Sequence, residues 1–155
     1  MHARDDVLVF ESEPLVAALT LIGCAVAHLW VSSDAPDTDW FAELADADPD
    51  GGSFLVAYGM LRARFRSGLD REELMEADAI YPVTVELTPR AHTFAPGHRM
   101  TLAVTSSASP LWAPNPNNGG DIFTDAERRV ARNCVHHSPG IASHVVLPLL
   151  DDGGG

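Results

Sequence analysis

The sequence predicts an all-β fold, a jelly-roll β-sandwich of about eight strands with at most one or two short helices. Eleven prolines and twelve glycines separate short apolar segments at fairly regular spacing, which favours a sandwich over a helical bundle. Several segments alternate apolar and polar residues, the period of a strand with one buried face. A length of 155 residues is enough for one domain with a proper core.

The first half of the chain supplies four predicted strands. Residues 7–10 form a short apolar segment, and residues 25–32 place an apolar residue at every second position. Segments 39–46 and 54–65 flank the sequence D-P-D-G-G at 48–52. Because Asp-Gly between two strand patterns indicates a tight turn, these two segments are predicted to form a hairpin.

The returning strand of this hairpin ends in alternating apolar and basic residues. Arg62, Arg64 and Arg66 occupy every second position there. Since neighbouring strand residues point to opposite faces, the three arginines are predicted to face solvent or a partner while the residues between them face the core.

The second half of the chain supplies four more predicted strands. Residues 81–87 alternate cleanly, and Pro82 near their start indicates a strand beginning or a sheet edge. Residues 98–105 follow a Pro-Gly turn, and residues 132–136 and 144–149 close the chain. The total of eight is the complement of a jelly roll.

The segments between strands are predicted to hold little regular structure. Residues 71–75 are the best helix candidate, and residues 125–129 suit a short helical turn after the polar loop at 106–121. Domain organisation follows: residues 1–150 form one jelly-roll domain, and the Asp- and Gly-rich residues 151–155 form a disordered tail.

Charge and cysteine content narrow the classes of function. A net charge of −12 repels phosphate backbones and anionic lipid, so neither a nucleic acid nor a membrane is expected as a partner. The longest apolar run, at 15–30, is interrupted and too short for a membrane span. Cys24 and Cys134 match no metal-ligand spacing and are interpreted as buried free thiols of a cytoplasmic protein.

Six segments, taken in order, resemble one family. The chain resembles the C-terminal domain of X-Pro dipeptidyl-peptidase and cocaine-esterase-like (CocE/NonD) serine hydrolases, which include acyl esterases. The segments that carry the resemblance are D-V-L-V-F-E-S-E-P-L at 6–15, L-W-V-S-S-D-A-P-D-T-D at 29–39, G-M-L-R-A-R-F-R at 59–66, G-H-R-M at 97–100, N-P-N-N-G at 115–119 and S-H-V-V-L-P at 143–148.

The resemblance implies a jelly roll of the galactose-binding-like type and a non-catalytic role. In the family this accessory domain packs on an α/β-hydrolase catalytic domain, its expected partner in cis or in trans, and helps to shape substrate access. The chain begins close to the first motif, whereas family jelly rolls usually begin further upstream. A first strand is therefore expected to be missing, and self-association through an unpaired sheet edge is expected.

A search for chemistry within the chain gives no catalytic residue. Ser138 in H-H-S-P-G is the nearest match to a nucleophile elbow, but a histidine replaces the first glycine and Pro139 lacks a backbone N–H for an oxyanion hole. A turn before the last strand is the preferred interpretation. Because this chain carries no triad, it is predicted to be inactive alone.

No cofactor and no metal are predicted. His92 and His98 could meet across a hairpin, but spacing supplies no acidic or thiol partner for them. Two acidic sets are calcium alternatives, and turn-forming aspartates are the preferred interpretation of both. These sets are Asp34, Asp37 and Asp39, and Asp46, Asp48 and Asp50.

The candidate contact residues lie in the loop after the sixth predicted strand. A proline-stiffened apolar segment with a tryptophan is typical of an interface anchor, and an exposed aromatic beside asparagines also suits a sugar. The interface is the preferred interpretation, and a stand-alone carbohydrate- or ligand-binding module is the alternative. The candidates for either role are Leu111, Trp112, Asn115, Asn117 and Asn118. Trp30 and Trp40 are interpreted as core or inter-sheet packing.

Overall fold

The computed structural model describes residues 4–121 and 123–150. Its regular structure is almost wholly β, with one short 3₁₀ turn, η1, at Ala63–Phe65. The ten strands in chain order are β1 (Val7–Glu11), β2 (Leu19–Gly23), β3 (Val26–Ser33), β4 (Asp39–Ala47), β5 (Ser53–Arg62), β6 (Tyr81–Glu86), β7 (Arg90–Phe94), β8 (Arg99–Thr105), β9 (Asn133–His136) and β10 (His144–Val146). The all-β prediction is confirmed.

The strands form two main sheets that face each other. The first sheet has the order β1-β8-β4-β5, and all its strands are antiparallel. The second has the order β10-β3-β6, and β9 pairs with β3 beyond the end of β10. A smaller two-stranded sheet joins β2 to β7. The sheets do not close into a barrel, which fits a β-sandwich.

The predicted hairpin is formed by β4 and β5. Its turn is fixed by Asp48, whose carboxylate accepts hydrogen bonds from the backbone N–H groups of Asp50 at 2.8 Å and Gly52 at 3.1 Å. Gly51 adopts φ 92°, a conformation that glycine reaches without steric cost. The sequence signal for this turn therefore has a direct structural basis.

Alternating side chains of both sheets form the core. Strands β3, β4, β5 and β6 contribute most of its buried residues. The largest fully buried hydrophobic side chains are Leu21, Val31, Leu44, Val85, Leu87, Phe94 and Val104. Trp40 on β4 is also buried, as predicted. Trp30 is partly exposed, because it lies on the face of β3 that points away from the core.

The two main sheets approach each other closely at Gly59 on β5. A methyl group on Gly59 would overlap the Glu86 carbonyl oxygen and come within 3.1 Å of the Leu87 Cα atom. Both obstacles are backbone atoms, one in the last residue of β6 and one in the residue that follows it. Glycine at this position therefore sets the distance between β5 and β6.

Three predicted details differ from the structure. Strands β2 and β7 were not predicted, so ten strands replace the expected eight. The strand predicted at 54–65 ends at Arg62, since the Ala63 N–H donates to the Thr38 carbonyl and the chain turns into η1. Residues 71–75 and 125–129 form no helix. Segment 71–75 instead donates from the Glu73 and Met75 amides to the backbone of other segments.

The interpretation of the cysteines as buried is wrong. Cys24 and Cys134 are both free and exposed. Cys24 lies in the short bend between β2 and β3, and Cys134 lies on β9 opposite Ser32. Neither packs in the core because both positions belong to the outer surface of the sandwich.

No helix long and apolar enough to cross a membrane occurs in the described part of the chain. The tail expected to be disordered, residues 151–155, lies outside the described residues.

Candidate docking loop and the ion network beneath it

The five predicted contact residues all lie in the connection from β8 to β9, residues 106–132, here called the docking loop. Its first part exposes apolar side chains: Leu111 is 65% exposed and Trp112 is 39% exposed. The Trp112 ring lies 6.3 Å from the ring of Phe41 on β4, and its backbone N–H donates to the Ala108 carbonyl at 3.2 Å. One side of the indole thus rests on the sandwich while the other is free.

Asn115 differs from its neighbours because it is buried. Its Nδ2 donates to Asp37 Oδ2 at 2.8 Å and to Asp39 Oδ1 at 2.9 Å. Its Oδ1 accepts the N–H of Asn117 at 2.9 Å. Since its polar atoms are engaged inside the protein, Asn115 positions the loop from below and offers little to a ligand.

Asn117 and Asn118 also bond within the docking loop. Asn117 adopts φ 62° and donates from Nδ2 to the Arg129 carbonyl at 3.0 Å. Asn118 donates to Asp125 Oδ2 at 2.6 Å and to the Glu127 carbonyl at 3.0 Å. The asparagines therefore hold the two arms of the loop together.

A second turn in the loop is built on an aspartate. The Asp121 carboxylate accepts the backbone N–H groups of Phe123 and Thr124 at 2.8 and 3.1 Å. These hydrogen bonds hold the pKa of the Asp121 carboxyl below its ordinary value, because they favour the charged form, and the bond from Phe123 contributes most.

Beneath the docking loop, two buried carboxylates meet two arginines. Asp37 and Asp39 are at most 1% exposed. Arg64 donates to Asp37 from its backbone N–H at 2.9 Å and from Nε at 2.8 Å. Arg62 binds Asp39 through Nε at 2.8 Å and Nη2 at 2.9 Å, a bidentate pair. The hydrogen bonds that Arg62 donates to Asp39 raise the pKa of Arg62 above its ordinary value despite partial burial, because they favour the charged form.

Arg64 connects this network to two loops. Its Nη2 donates to the Gly120 carbonyl of the docking loop at 2.8 Å, and its Nη1 lies 3.1 Å from Glu72 Oε2 in the β5–β6 connection. The Leu74 side chain of that connection packs beside Gly119. The docking loop is therefore held in place by the buried charge of Arg64 and by the β5–β6 connection, which is distant from it in sequence.

The prediction that the three arginines face solvent or a partner is wrong. Arg64 is 5% exposed, and Arg66 lies over the Tyr81 ring with 4.4 Å between its guanidinium carbon and the ring centroid. The β4–β5 register pairs Asp39 directly with Arg62. The sequence did contain a signal for this pairing. A D-x-D spacing lies at the start of one hairpin strand and an R-x-R spacing at the end of the other, and each spacing puts its two charged residues on one face. Two carboxylates could therefore have been expected to meet two arginines across the hairpin.

A separate cluster joins β7 and β8 to β4. Asp46, which spacing alone did not connect to any histidine, lies 2.8 Å from His92 Nε2 and 2.7 Å from His98 Nδ1. The His92 ring also packs against Phe94, with 4.8 Å between centroids. No group of three or more metal-ligating side chains suited to an ion occurs among the described residues. The cluster thus acts as a clamp between the small sheet and the first sheet.

A serine hydroxyl and a histidine ring meet at Ser32 and His136, and Ser138 is not part of this pair. Ser138 lies in a turn, where its carbonyl accepts the Ile141 N–H at 3.1 Å and Gly140 adopts φ 91°. Ser32 Oγ lies 2.9 Å from His136 Nε2. Within the described residues no carboxylate orients this histidine, so the pair lacks the third member of a triad.

Comparison with known proteins shows to which family the chain belongs. Residues 1–146 match the family described as X-Pro dipeptidyl-peptidase C-terminal non-catalytic domain. The chain belongs to this family. The match covers the docking loop, the ion network and all ten strands in full.

Relatives of known sequence and structure agree with this assignment. The chain is 39% identical over 152 residues to the cocaine esterase of Rhodococcus sp. (strain MB1 Bresler), which covers 97% of this chain and 26% of the esterase. An aminopeptidase from the marine sediment archaeon Thaumarchaeota archaeon superposes with a TM-score of 0.91 at 28% identity, over 96% of this chain and 26% of that one.

An α-amino acid ester hydrolase gives a TM-score of 0.90 at 30% identity, over 95% of this chain and 26% of the hydrolase. A CocE/NonD family hydrolase from Staphylococcus aureus, 22% identical with a TM-score of 0.72 over 93% of this chain and 30% of that one, shares the fold. The chain thus spans about a quarter of the length of the first relatives that it matches.

Proposed function

We propose that this protein is an accessory jelly roll of the galactose-binding-like type that packs on the α/β-hydrolase catalytic domain of a serine hydrolase, of the X-Pro dipeptidyl-peptidase or acyl-esterase kind, and shapes substrate access. The observation that carries the proposal is the exposed pair Leu111 and Trp112 on a loop anchored by buried charges. An apolar anchor on a firmly held support binds a protein partner with little loss of conformational entropy.

The engagement of the asparagines supports a protein partner over a sugar. Sugar recognition depends on free polar groups that are arranged around an aromatic platform. In the docking loop the side chains of Asn115, Asn117 and Asn118 are hydrogen-bonded to the loop itself or to the ion network. The exposed surface around Trp112, residues 109–114, is largely apolar.

The proposed location is the cytoplasm. Support comes from the two exposed free thiols, Cys24 and Cys134, because exposed thiols persist in a reducing compartment and oxidise elsewhere.

Binding in trans tests the proposal. The partner is the part of the Rhodococcus cocaine esterase outside the region that matches this chain, and titration calorimetry measures its affinity for the purified chain. We expect binding that weakens at least tenfold in Trp112→Ala, since truncating a buried aromatic anchor costs about 2 kcal/mol or more.

The matched control is Val16→Ser. Val16 is 99% exposed, and its neighbour Leu15 bonds to His98 just before β8, whereas the docking loop follows the other end of β8. Its substitution should leave the affinity within twofold. Absence of binding, or equal effects of the two substitutions, would reject the docking loop as the interface.

A further inference from the structure

An apolar cavity of about 390 Å³ lies between the two main sheets and opens to solvent. Strands of both sheets line it, and its polar lining residues are Glu11, Ser12, His137, Ser143 and His144. Side chains that define its apolar wall are Phe10, Leu29, Leu44, Leu102, Val135 and Val145. Most of these belong to the core of the sandwich, so the cavity is an opening of the core itself.

The inward face of β1 is uncovered beside this cavity. Leu8 and Phe10 point between the sheets, where Leu8 shares a smaller cavity with Trp40 and Val104 and Phe10 lines the large one. Nevertheless, Leu8 is 45% and Phe10 38% exposed, whereas Val104 on neighbouring β8 is 1% exposed. The His137 ring, 6.1 Å from the Phe10 ring, covers only part of this surface.

Both sheet edges that border the cavity are free. Among residues 4–121 and 123–150, β1 pairs with β8 alone, and β9 and β10 pair with β3 alone. The latter two strands contain four and three residues. Free edges leave backbone N–H and C=O groups for another strand.

We propose that this cavity receives an extended strand with alternating apolar side chains, supplied by the polypeptide that carries the catalytic domain. The inference rests on the proposed function and names a second contact for it. A strand fits because its period of two sends every other side chain into the cavity while its backbone pairs with the free edge of β1. About three quarters of each close relative lies outside the matched part and can supply such a strand.

Two other occupants fit less well. A small apolar molecule would fill the cavity but leave the edges of β1 and β10 unpaired. A second copy of this chain carries the same net charge of −12, so the two copies would repel each other on approach.

Overlapping 15-residue peptides that span the unmatched part of the Rhodococcus cocaine esterase test the inference. Fluorescence anisotropy measures their binding to the purified chain. We expect binding by one group of adjacent peptides with alternating apolar residues, together with slower amide hydrogen exchange in Val7–Glu11. Phe10→Ser should weaken this binding at least tenfold.

Val9→Ser is the matched control, because Val9 is 46% exposed on the same strand but on the opposite face, where it lies with Ala47 and Arg99. It should change the affinity less than twofold. Leu102→Trp is a second variant that fills part of the cavity with a larger side chain, and it should also block binding. Thermal melts establish that each variant is folded.

Three results would overturn the inference: equal effects of Phe10→Ser and Val9→Ser, a dimer of this chain that competes with the peptides, or displacement of an apolar dye without any peptide binding. If no peptide binds but the whole unmatched polypeptide does, and Trp112→Ala weakens it, the docking loop stands and this inference fails. If neither binds, both proposals fail.

Discussion

At the residue scale, the protein depends on charges that are buried in complementary sets. Asp37 accepts hydrogen bonds from Arg64 and Asn115, and Asp39 from Arg62 and Asn115. Removing a carboxylate from water is costly unless paired charges and hydrogen bonds replace the lost hydration. Each member of this network therefore requires the others, and the position of the docking loop depends on all of them.

Replacement of one arginine measures this dependence. Arg64→Leu leaves Asp37 buried without its charged partner, so we expect the free energy of unfolding to fall by about 3–5 kcal/mol. Urea denaturation provides the measurement. Arg4→Leu is the control: the Arg4–Asp6 pair is half-exposed, and its loss should cost less than about 1 kcal/mol. Similar losses in the two variants would contradict the structural role of Arg64.

At the element scale, close backbone contact and side-chain clamps determine how the sheets meet. Gly59 lets β5 approach the end of β6, and Asp46 joins β4 to His92 on β7 and to His98 just before β8. These contacts act between strands that are distant in sequence. The contact of Asp46 with His92 also holds the small β2–β7 sheet on the sandwich, although that sheet shares no strand with the main sheets.

Adding one methyl group at Gly59 tests the close approach. Gly59→Ala places its Cβ against backbone atoms of Glu86 and Leu87, which cannot rotate away. We expect a loss of stability of about 3 kcal/mol, at the upper end of the usual cost of overpacking. Thr84→Ala, an exposed change on β6, should stay within about 0.5 kcal/mol. Equal denaturation midpoints for both variants would show that the sheets separate freely here.

At the scale of the whole molecule, the sandwich is unevenly closed. Strand β4 is paired on both sides, by β5 and β8, and lies over the core, whereas β1, β9 and β10 each have a free edge. Local stability follows the number of paired edges and buried contacts. The free edges of β1, β9 and β10 border the apolar cavity, so we expect this side of the molecule to be the less stable one.

Native-state hydrogen exchange detects this asymmetry. After correction for intrinsic rates, amides of β4 and β8 should exchange slowest, and those of β9, β10 and β1 at least an order of magnitude faster. The reason is that opening a strand with one neighbour breaks fewer hydrogen bonds and exposes less apolar surface. Uniform exchange across all strands would indicate that the free edges are not weak points of the isolated chain.

The sequence alone determined the features that depend on local pattern. Alternating apolar residues gave the eight predicted strands, and Asp-Gly gave the β4–β5 hairpin. The ordered motifs gave the family. Strand β7 was not predicted because its segment R-A-H-T-F is mostly polar, and β2 was not predicted because it lies within a longer apolar run. Both strands are specified by the partners they find across the sandwich.

Only the tertiary structure decided the features that depend on contacts between residues distant in sequence. The docking loop was predicted as a contact surface, but only the structure separates the exposed Trp112 from the buried Asn115. It also turned Arg64 inward towards Asp37, brought Asp46 to two histidines, and left β1 uncovered beside a cavity. The physical reason is that strand periodicity assigns a residue to a face, whereas burial and pairing depend on which distant strand covers that face.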